Sequence, residues 1–164
     1  MIHVIGGLSG CGKSMIGQFL RRSQRMFWFE LDTFPRDAVD DFRIRTEWEN
    51  LLRGNPESIE ARFPKPMVLT IPSMPIFKGR NFRNHPKIRV SYLIGSDDAC
   101  IRALGERDGM EADEARLHWE QNNAALKAYL QQDCPEAWKV SAFDAEGRRR
   151  TLADIATDVL QGTR

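Results

Sequence analysis

The sequence contains few cysteines and no long apolar run. Its three cysteines, Cys11, Cys100 and Cys134, are odd in number and widely spaced, which fits neither a disulfide framework nor a metal-binding motif. No apolar stretch has the length of a membrane span, and the N-terminus lacks the pattern of a secretory signal. We therefore expect a cytoplasmic protein that does not contact membranes.

The chain also lacks a strong net charge, an internal repeat and a low-complexity segment. Its 24 basic and 23 acidic residues give a net charge of +1, which argues against a general attraction to nucleic acids or membrane surfaces. Hydrophobic residues make up 41% and charged residues 29%, as is usual for a globular protein. The length predicts a single domain over residues 1–164, either as a monomer or as a homodimer.

One segment near the N-terminus carries the most specific motif. An apolar run at residues 2–5 is followed by GLSGCGKS at residues 7–14 and then by a helical pattern. The octapeptide fits G-x-x-x-x-G-K-[ST], which is typical of a loop whose glycines turn backbone N–H groups toward phosphate oxygens. A helix that starts at Lys13 would point its positive end at the same anion.

This motif predicts a site for ATP with Mg²⁺. Lys13 is expected to reach the β- and γ-phosphates, and the Ser14 hydroxyl is expected to bind Mg²⁺. Cys11 is interpreted either as a small residue that fills space or, because a helix N-terminus favours the thiolate, as a redox-sensitive thiol. The residues expected to contact the nucleotide are Gly7, Leu8, Ser9, Gly10, Cys11, Gly12, Lys13, Ser14 and Met15.

A second candidate residue follows the next apolar run. Runs at residues 26–31, 67–71, 89–94 and 138–142 predict four further strands, and Asp32 stands directly after the first of these. Because ligands collect at the carboxyl ends of parallel strands, we expect Asp32 beside the phosphate loop, either activating a substrate hydroxyl or holding Mg²⁺ through water. A helix cap is the alternative. The 67–71 run leads to Ser73 rather than to an acidic residue, which leaves the acidic role to Asp32.

Arginines in two segments are candidates for binding the substrate. Arg36 precedes a predicted helix over residues 37–53, and Arg80 and Arg83 lie in the basic stretch 78–89. Guanidinium groups bind carboxylates and phosphates in pairs of hydrogen bonds, so both segments suit an anionic substrate. A solvated surface fits them as well, and the basic stretch also fits contact with nucleic acid.

A third pair of arginines lies on a helical hairpin. Ser96 is expected to cap a helix that carries Arg102 and Arg107, and Asp108-Gly109 separates it from a second helix over about residues 111–132. A helix, an arginine-bearing hinge and a helix are typical of a mobile lid that excludes water from a triphosphate, here about residues 102–113. Two ordinary packed helices are the alternative.

The order of these parts resembles the small P-loop kinases over nearly the whole chain. GLSGCGKS is similar to the G-V-S-G-S-G-K-S loop of gluconate kinases, and residues 68–95, with Ser73, Arg80 and Arg83, resemble the same family. The resemblance is strongest to the gluconate kinase and shikimate kinase group. Residues 104–121, LGERDGMEADEARLHWEQ, are instead similar to the lid of dephospho-CoA kinases and uridine-kinase-like proteins.

The resemblance implies a fold, an activity and a set of site residues. The expected fold is α/β, a three-layer P-loop NTPase fold whose five-stranded parallel sheet has the order 2-3-1-4-5 with helices on both faces. The expected protein is an ATP- and Mg²⁺-dependent kinase that phosphorylates a hydroxyl or phosphate of a small molecule, such as a sugar acid, nucleoside or nucleotide. It implies that Lys13 and Ser14 hold phosphate and Mg²⁺, that Asp32 is the base and that Arg102 and Arg107 hold the nucleotide. Together with the candidates above, the predicted residues are Lys13, Asp32 and Arg107 for catalysis, Arg102 and Arg107 for the nucleotide, Asp32, Arg36, Arg80 and Arg83 for the substrate, and Ser14 and Asp32 for the metal.

Two other functions remain open on the sequence. A kinase acting on nucleic-acid hydroxyls would use the basic stretch 78–89, but the net charge of +1 argues against it. A non-catalytic nucleotide-binding switch would need D-x-x-G after the third strand and N-K-x-D later. D-x-x-G occurs at residues 144–147, after the fifth predicted strand, and N-K-x-D is absent from the sequence.

Overall fold

The fold is built on a parallel sheet. The structure, a computed structural model, describes residues 1–30, 50, 57, 66–73, 75 and 86–161. Within them the strands are β1 (Ile2–Gly7), β2 (Phe27–Glu30), β3 (Met67–Thr70), β4 (Ile88–Ile94) and β5 (Lys139–Ser141). All neighbouring pairs are parallel. Their order is β2-β3-β1-β4-β5, which confirms the predicted order 2-3-1-4-5.

Strand β1 occupies the middle of the sheet because its side chains are apolar on both faces. Ile2, Val4 and Ile5 are each no more than 1% exposed. At the carboxyl end of the strand, Gly7 lies opposite Leu93 of β4, and a Cβ on Gly7 would come within 2.4 Å of the Leu93 carbonyl oxygen. A residue with a side chain at this position would therefore push β1 and β4 apart.

Helices cover both faces of the sheet, as predicted. The α-helices of the described residues are α1 (Lys13–Ser23), α2 (Asp97–Asp108), α3 (Ala112–Gln132) and α4 (Leu152–Gln161). On one face, α1 and α4 pack against each other, and α4 also contacts β1 and β5. On the other face, the Tyr129 ring of α3 meets the Tyr92 ring of β4 edge-on, with 5.6 Å between centroids. None of these helices combines the length and the hydropathy that crossing a membrane requires.

Two helix starts are fixed by side-chain caps: Ser96, expected above, and Thr151, which the T-x-x-D spacing of residues 151–154 predicts as a capping box. The Ser96 hydroxyl accepts a hydrogen bond from the Ala99 N–H at 3.3 Å at the start of α2. Before α4, the Thr151 hydroxyl accepts from the Asp154 N–H at 3.1 Å and donates to the Asp154 carboxylate at 2.6 Å. Each cap satisfies an N–H group that has no partner inside its helix. Helix α2 ends at Gly109, whose φ of 67° is in the left-handed region.

Some details differ from the sequence-based expectations. Trp138, expected to begin β5, instead ends a short 3₁₀ helix, Glu136–Trp138. The spacing of four and three between apolar residues in 115–129 predicts that Asn122 lies on the buried face of α3. Instead, Asn122 is exposed and donates to the His118 carbonyl, and Asn123 is fully buried. Asn123 takes the place of an apolar residue on the buried face because its side chain hydrogen-bonds another segment. The helix predicted over residues 37–53 lies outside the described residues apart from residue 50.

A buried histidine lies in the central strand. His3 is 6% exposed, and its Nδ1 has no hydrogen-bond partner among the described residues. Burial, followed by the positive charges of Arg89 and the N-terminal amine, lowers the pKa of His3 from 6.5 to about 4. Burial has this effect because it disfavours the charged imidazolium. The folded protein therefore keeps His3 neutral at pH values at which the unfolded chain protonates it.

This difference predicts that acid destabilises the fold through His3. Since the pKa falls from 6.5 to about 4 on folding, the unfolded state binds the extra proton in this window. The free energy of unfolding should lose up to about 3 kcal/mol between these pH values and change little above them. Urea unfolding of wild type and His3→Gln over this range measures the contribution, because the variant should lack that part of the loss.

The control for this measurement is His118→Gln, on the exposed surface of α3. This variant should follow the wild-type pH dependence. An identical pH dependence in His3→Gln and wild type would contradict the assignment to His3. Carboxylates that titrate in the same window affect all three proteins equally, so the difference between variants isolates the histidine.

Candidate active site

The phosphate loop connects the carboxyl end of β1 to the start of α1, where the sequence predicts it. Gly10 and Gly12 have φ angles of 87° and 84°, in the left-handed region that L-residues with side chains rarely adopt. A Cβ on Gly10 would lie 2.2 Å from the Cys100 carbonyl oxygen, and a Cβ on Gly12 would lie 2.6 Å from a terminal nitrogen of Arg149. Conformation therefore favours glycine at both positions, and at Gly10 the fixed Cys100 backbone also leaves no space for a side chain.

Helix α3 holds the loop through the backbone of Ser9. The Ser9 N–H donates to Asn123 Oδ1 at 2.9 Å, and the Ser9 carbonyl accepts from Trp119 Nε1 at 3.0 Å. Asn123 in turn donates from Nδ2 to the Trp119 carbonyl at 2.7 Å. Both side chains are fully buried. A buried network in which each polar group is bonded fixes the position of the loop, and no local pattern in the sequence predicts it.

The Lys13 side chain folds back onto the loop that precedes it. Its ammonium group donates to the Gly7 carbonyl at 3.1 Å, the Leu8 carbonyl at 3.4 Å and the Ser73 hydroxyl at 3.1 Å. The Ser73 hydroxyl, which follows β3, also lies 3.0 Å from the Ser9 hydroxyl. These contacts hold the ammonium group at the loop, where a bound phosphate would meet it. Ser73 thus connects the end of β3 to the loop, a contact that the sequence did not predict.

A carboxylate lies next to Ser14, and it belongs to Glu30. The Ser14 hydroxyl donates to Glu30 Oε1. Glu30 is the last residue of β2, two positions before Asp32, which lies outside the described residues. From the sequence alone, Glu30 is expected only to form part of a buried strand. Its position at the carboxyl end of that strand was the available sign that it faces the site.

The packing of α1 on β2 brings Glu30 to Ser14. Gly17 has no side chain, so the Trp28 indole lies directly on α1, and a Cβ on Gly17 would be 2.2 Å from Trp28 Nε1. The same indole N–H donates to the Thr70 hydroxyl on β3 at 3.1 Å. Trp28 is therefore fixed between α1 and the sheet. This packing places Glu30, at the end of the same strand, beside the start of α1.

A hydroxyl and a carboxylate are oxygen ligands of the type that Mg²⁺ prefers. Ser14 and Glu30 provide one of each at the mouth of the loop. Among the described residues, no group of three or more His, Cys, Asp or Glu side chains is arranged to hold a metal ion. Such a pair therefore suits an ion that takes its remaining ligands from water and from the phosphates of a nucleotide.

Arg149 supports the loop from the opposite side. Its guanidinium group donates to the Gly10 carbonyl at 2.6 Å and to the Cys11 carbonyl at 2.9 Å. Its central carbon also lies 4.9 Å from the centroid of the Phe143 ring, within cation–π range. Arg149 thus supplies donors to two loop carbonyls, while the N–H groups of Ser9 and Cys11 donate to Asn123 and to the Leu8 carbonyl. The sequence alone does not predict this role.

A tight turn presents Arg149 to the loop. The backbone of Phe143 pairs with that of Arg149 in an isolated antiparallel bridge. Between them, the Asp144 carboxylate accepts from the N–H groups of Glu146 and Arg148. The Arg148 N–H also lowers the pKa of this carboxyl. Hydrogen bonds within the turn thus help to orient Arg149 toward the loop.

The two predicted lid arginines lie on one side of a cavity beside the loop. Arg102 donates to the Gly147 carbonyl at 2.8 Å. Arg107 forms a two-bond ion pair with Asp108, which raises the pKa of the guanidinium. The cavity has a volume of about 630 Å³, within the range of ligand pockets. Its lining includes Arg102, Glu106, Arg107, Phe143, Gly147 and Arg149.

Cys11 points away from the inner side of the loop and is completely buried. Its sulfur lies 3.4 Å from that of Cys100, in the first turn of α2. The Cys100 thiol, then the charges of Lys13 and Arg149, hold the pKa of Cys11 below its ordinary value. The same contact, together with burial, raises the pKa of Cys100.

The structure brings part of the predicted site together. The loop residues, Lys13, Ser14, Arg102 and Arg107 surround one region at the carboxyl ends of β1 and β4. Met15 is 46% exposed in the first turn of α1. The predicted substrate and metal residues Asp32, Arg36, Arg80 and Arg83 lie outside the described residues, so their placement stays a prediction.

Comparisons with known proteins bear on the fold. No protein-family model matches the sequence, and a search of curated proteins returned no match. Among solved structures, an uncharacterized protein from Eubacterium ventriosum is 14% identical, with a TM-score of 0.60 and coverage of 98% of this chain and 96% of that chain. A shikimate kinase from Bacteroides thetaiotaomicron is 20% identical, with a TM-score of 0.54 and coverage of 98% and 95%.

A gluconokinase from Sinorhizobium meliloti is also similar in structure. It is 19% identical, with a TM-score of 0.51, and the alignment covers 98% of this chain and 89% of that chain. These identities are low, so the similarity concerns the fold. It agrees with the resemblance that the sequence motifs carry and with the observed strand order. The chain has the P-loop kinase fold, of the type found in gluconokinase and shikimate kinase.

Proposed function

We propose that the protein is an ATP- and Mg²⁺-dependent kinase that transfers the γ-phosphoryl group to a hydroxyl or phosphate of a small molecule. The observation that carries the proposal is the geometry of the phosphate loop. Lys13 spans the loop, and Ser14 at the start of α1 meets the Glu30 carboxylate. A loop that bound no phosphate would have no need for a lysine and a hydroxyl–carboxylate pair at one end of its helix.

Binding of the nucleotide follows from the loop and the helix behind it. The inward N–H groups, the positive end of α1 and the Lys13 ammonium all favour the β- and γ-phosphates. Ser14 and Glu30 provide the oxygen ligands that would hold Mg²⁺, the ion that neutralises charge on the phosphate oxygens. Catalysis in this class rests on positioning and on charge stabilisation, and these residues suit both.

The cavity next to the loop suits the base of the nucleotide. Phe143 offers an aromatic face there, and Arg102 and Arg149 border the opening. Arg107 is proposed to turn from Asp108 toward the triphosphate when nucleotide binds. Gly109 has a left-handed φ, and a Cβ added to it would meet no atom within 4 Å, so it is a suitable hinge for a lid over about residues 102–113.

The acceptor would bind at the carboxyl ends of β2 and β3. Asp32 follows Glu30 by two residues and is proposed as the base that takes a proton from a substrate hydroxyl. Arg36, Arg80 and Arg83 are proposed to bind an anionic acceptor. Sugar acids and nucleotides are acceptor classes with such a negative charge, whereas a nucleoside would offer Asp32 a hydroxyl without it.

The first prediction for this function concerns Lys13. Lys13→Ala should weaken ATP–Mg²⁺ binding roughly 10- to 100-fold, as expected for the loss of a charged hydrogen bond. Folding should persist, because the partners of the ammonium group include two loop carbonyls and a hydroxyl rather than core side chains. Titration calorimetry with a non-hydrolysable ATP analogue measures the affinity.

Lys139→Ala is the matched control, since this lysine lies on the edge strand β5 and pairs with Glu136. It should bind the analogue as wild type does. Wild-type affinity in Lys13→Ala would refute the assignment of the phosphate site.

The second prediction concerns the metal. Glu30→Gln keeps an acceptor for the Ser14 hydroxyl but removes the negative charge. We expect the Mg²⁺ concentration for half-maximal activity to rise roughly 10- to 100-fold, with much less change in binding of metal-free nucleotide. Glu120→Gln, on the exposed surface of α3, serves as the control. An unchanged Mg²⁺ requirement in Glu30→Gln would remove Glu30 from the metal site.

The third prediction concerns the acceptor and Asp32. A screen of sugar acids, nucleosides and nucleotides with ATP–Mg²⁺ should identify an acceptor. If that acceptor is a hydroxyl, Asp32→Asn should lower kcat by roughly 10²–10⁴, the range for loss of a general base, with little change in ATP affinity. Asp133→Asn, at the exposed end of α3, should leave kcat unchanged. A wild-type kcat in Asp32→Asn would exclude it as the base.

A further inference from the structure

Two buried thiols join the phosphate loop to helix α2. Cys11 and Cys100 have no exposed surface, and their sulfurs are 3.4 Å apart although 89 residues separate them in the chain. Cys11 belongs to the loop that is proposed to bind phosphate, and Cys100 lies in the first turn of α2. Neither thiol has a part in the proposed phosphoryl transfer.

The two segments are already in contact around this pair. A Cβ on Gly10 would lie 2.2 Å from the Cys100 carbonyl oxygen, so the loop backbone rests directly on the start of α2. A disulfide requires its sulfurs about 2.05 Å apart, which is roughly 1.4 Å closer than these thiols lie. A small movement of the loop or of the helix end therefore suffices to bring the sulfurs to bonding distance.

The surroundings of Cys11 favour the nucleophilic form of the thiol. The hydrogen bond from Cys100 lowers the pKa of Cys11 most, and the charges of Lys13 and Arg149 lower it further, against the effect of burial. A thiolate is the form that reacts with peroxides and disulfides. Cys134 differs, because burial raises the pKa of its thiol and its sulfur contacts the Pro135 carbonyl.

We propose that Cys11 and Cys100 form a reversible disulfide that weakens nucleotide binding at the phosphate loop. The effect on binding rests on the proposed function, whereas formation of the bond does not. Disulfides in reducing compartments are usually transient and sense redox state, and this pair fits that use.

A peroxide can oxidise the two thiols to the disulfide in two steps. The Cys11 thiolate attacks one peroxide oxygen, the O–O bond breaks, and one water leaves after protonation, which gives a sulfenic acid. The Cys100 sulfur then attacks the Cys11 sulfur, the S–O bond breaks, and a second water leaves as the disulfide forms. Two electrons pass from the two thiols to the peroxide. A dithiol reductant reverses the bond by exchange.

The position of Cys11 links the bond to phosphate binding. It stands between Gly10 and Gly12, whose left-handed backbone shapes the loop, and its carbonyl accepts a hydrogen bond from Arg149. Drawing the Cys11 sulfur toward Cys100 would shift this Gly10–Gly12 backbone and so distort the loop that is proposed to bind phosphate. Because neither sulfur is exposed, oxidation requires a local opening of the loop, and a bound nucleotide that holds the loop closed should suppress it.

The test begins with the bond itself. Reduced full-length protein is treated with hydrogen peroxide, with and without ATP–Mg²⁺, and its peptides are mapped by mass spectrometry without reduction. We expect a Cys11–Cys100 cross-link that dithiothreitol reverses and that nucleotide suppresses. Cys11→Ser and Cys100→Ser should not form it, whereas Cys134→Ser should form it as wild type does. Absence of this cross-link in wild type overturns the proposal.

The second measurement is ATP–Mg²⁺ affinity before and after oxidation. We expect at least a tenfold loss on oxidation in wild type and in Cys134→Ser, and no loss in Cys100→Ser or Cys100→Ala. Two Cys100 variants guard against a folding defect in one of them. A cross-linked protein with unchanged affinity overturns the proposal. If the reduced protein binds no nucleotide, both the proposed function and the proposed effect on nucleotide binding are refuted. If the protein binds ATP but forms no cross-link, only the proposed disulfide is refuted.

Discussion

The carbonyl groups on the outer side of the phosphate loop need hydrogen-bond donors. The shape of the loop, and with it most of the site, depends on which side chains donate to these carbonyls. A loop that turns its N–H groups toward an anion turns carbonyls the other way, and buried carbonyls without partners are costly. Trp119 donates to the carbonyl of Ser9, and Arg149 donates to those of Gly10 and Cys11. The shape of the loop therefore depends on these neighbouring side chains as much as on the glycines of the loop itself.

The parts of the site that the sequence predicted are those encoded locally. Residues 7–14 contain the whole loop motif, and the caps Ser96 and Thr151 stand directly before the helices they start. The strand order 2-3-1-4-5 was predicted through the resemblance that these local motifs support, and the sheet confirms it. Patterns of this kind are readable because the interacting groups are only a few residues apart.

The parts that the sequence did not predict depend on contacts between distant segments. Asn123 and Trp119 reach Ser9 across more than 100 residues, and Arg149 reaches Gly10 across 139. Glu30 meets Ser14 because Gly17 lets Trp28 lie on α1. No periodicity signals such contacts, since each partner looks ordinary in its own surroundings. The roles of Asp32, Arg36, Arg80 and Arg83 stay predictions because these residues lie outside the described part of the chain.

The separation between the loop and Arg149 has a consequence for protein synthesis. The side chain that binds the carbonyls of Gly10 and Cys11 is translated 138 to 139 residues after them. The central strand β1 likewise has neighbours on both sides only after β3 and β4 have been translated. A growing chain thus contains the full phosphate-binding motif long before it can hold that motif in shape. If the proposed function holds, nucleotide would bind and assist folding only after Arg149 has been translated.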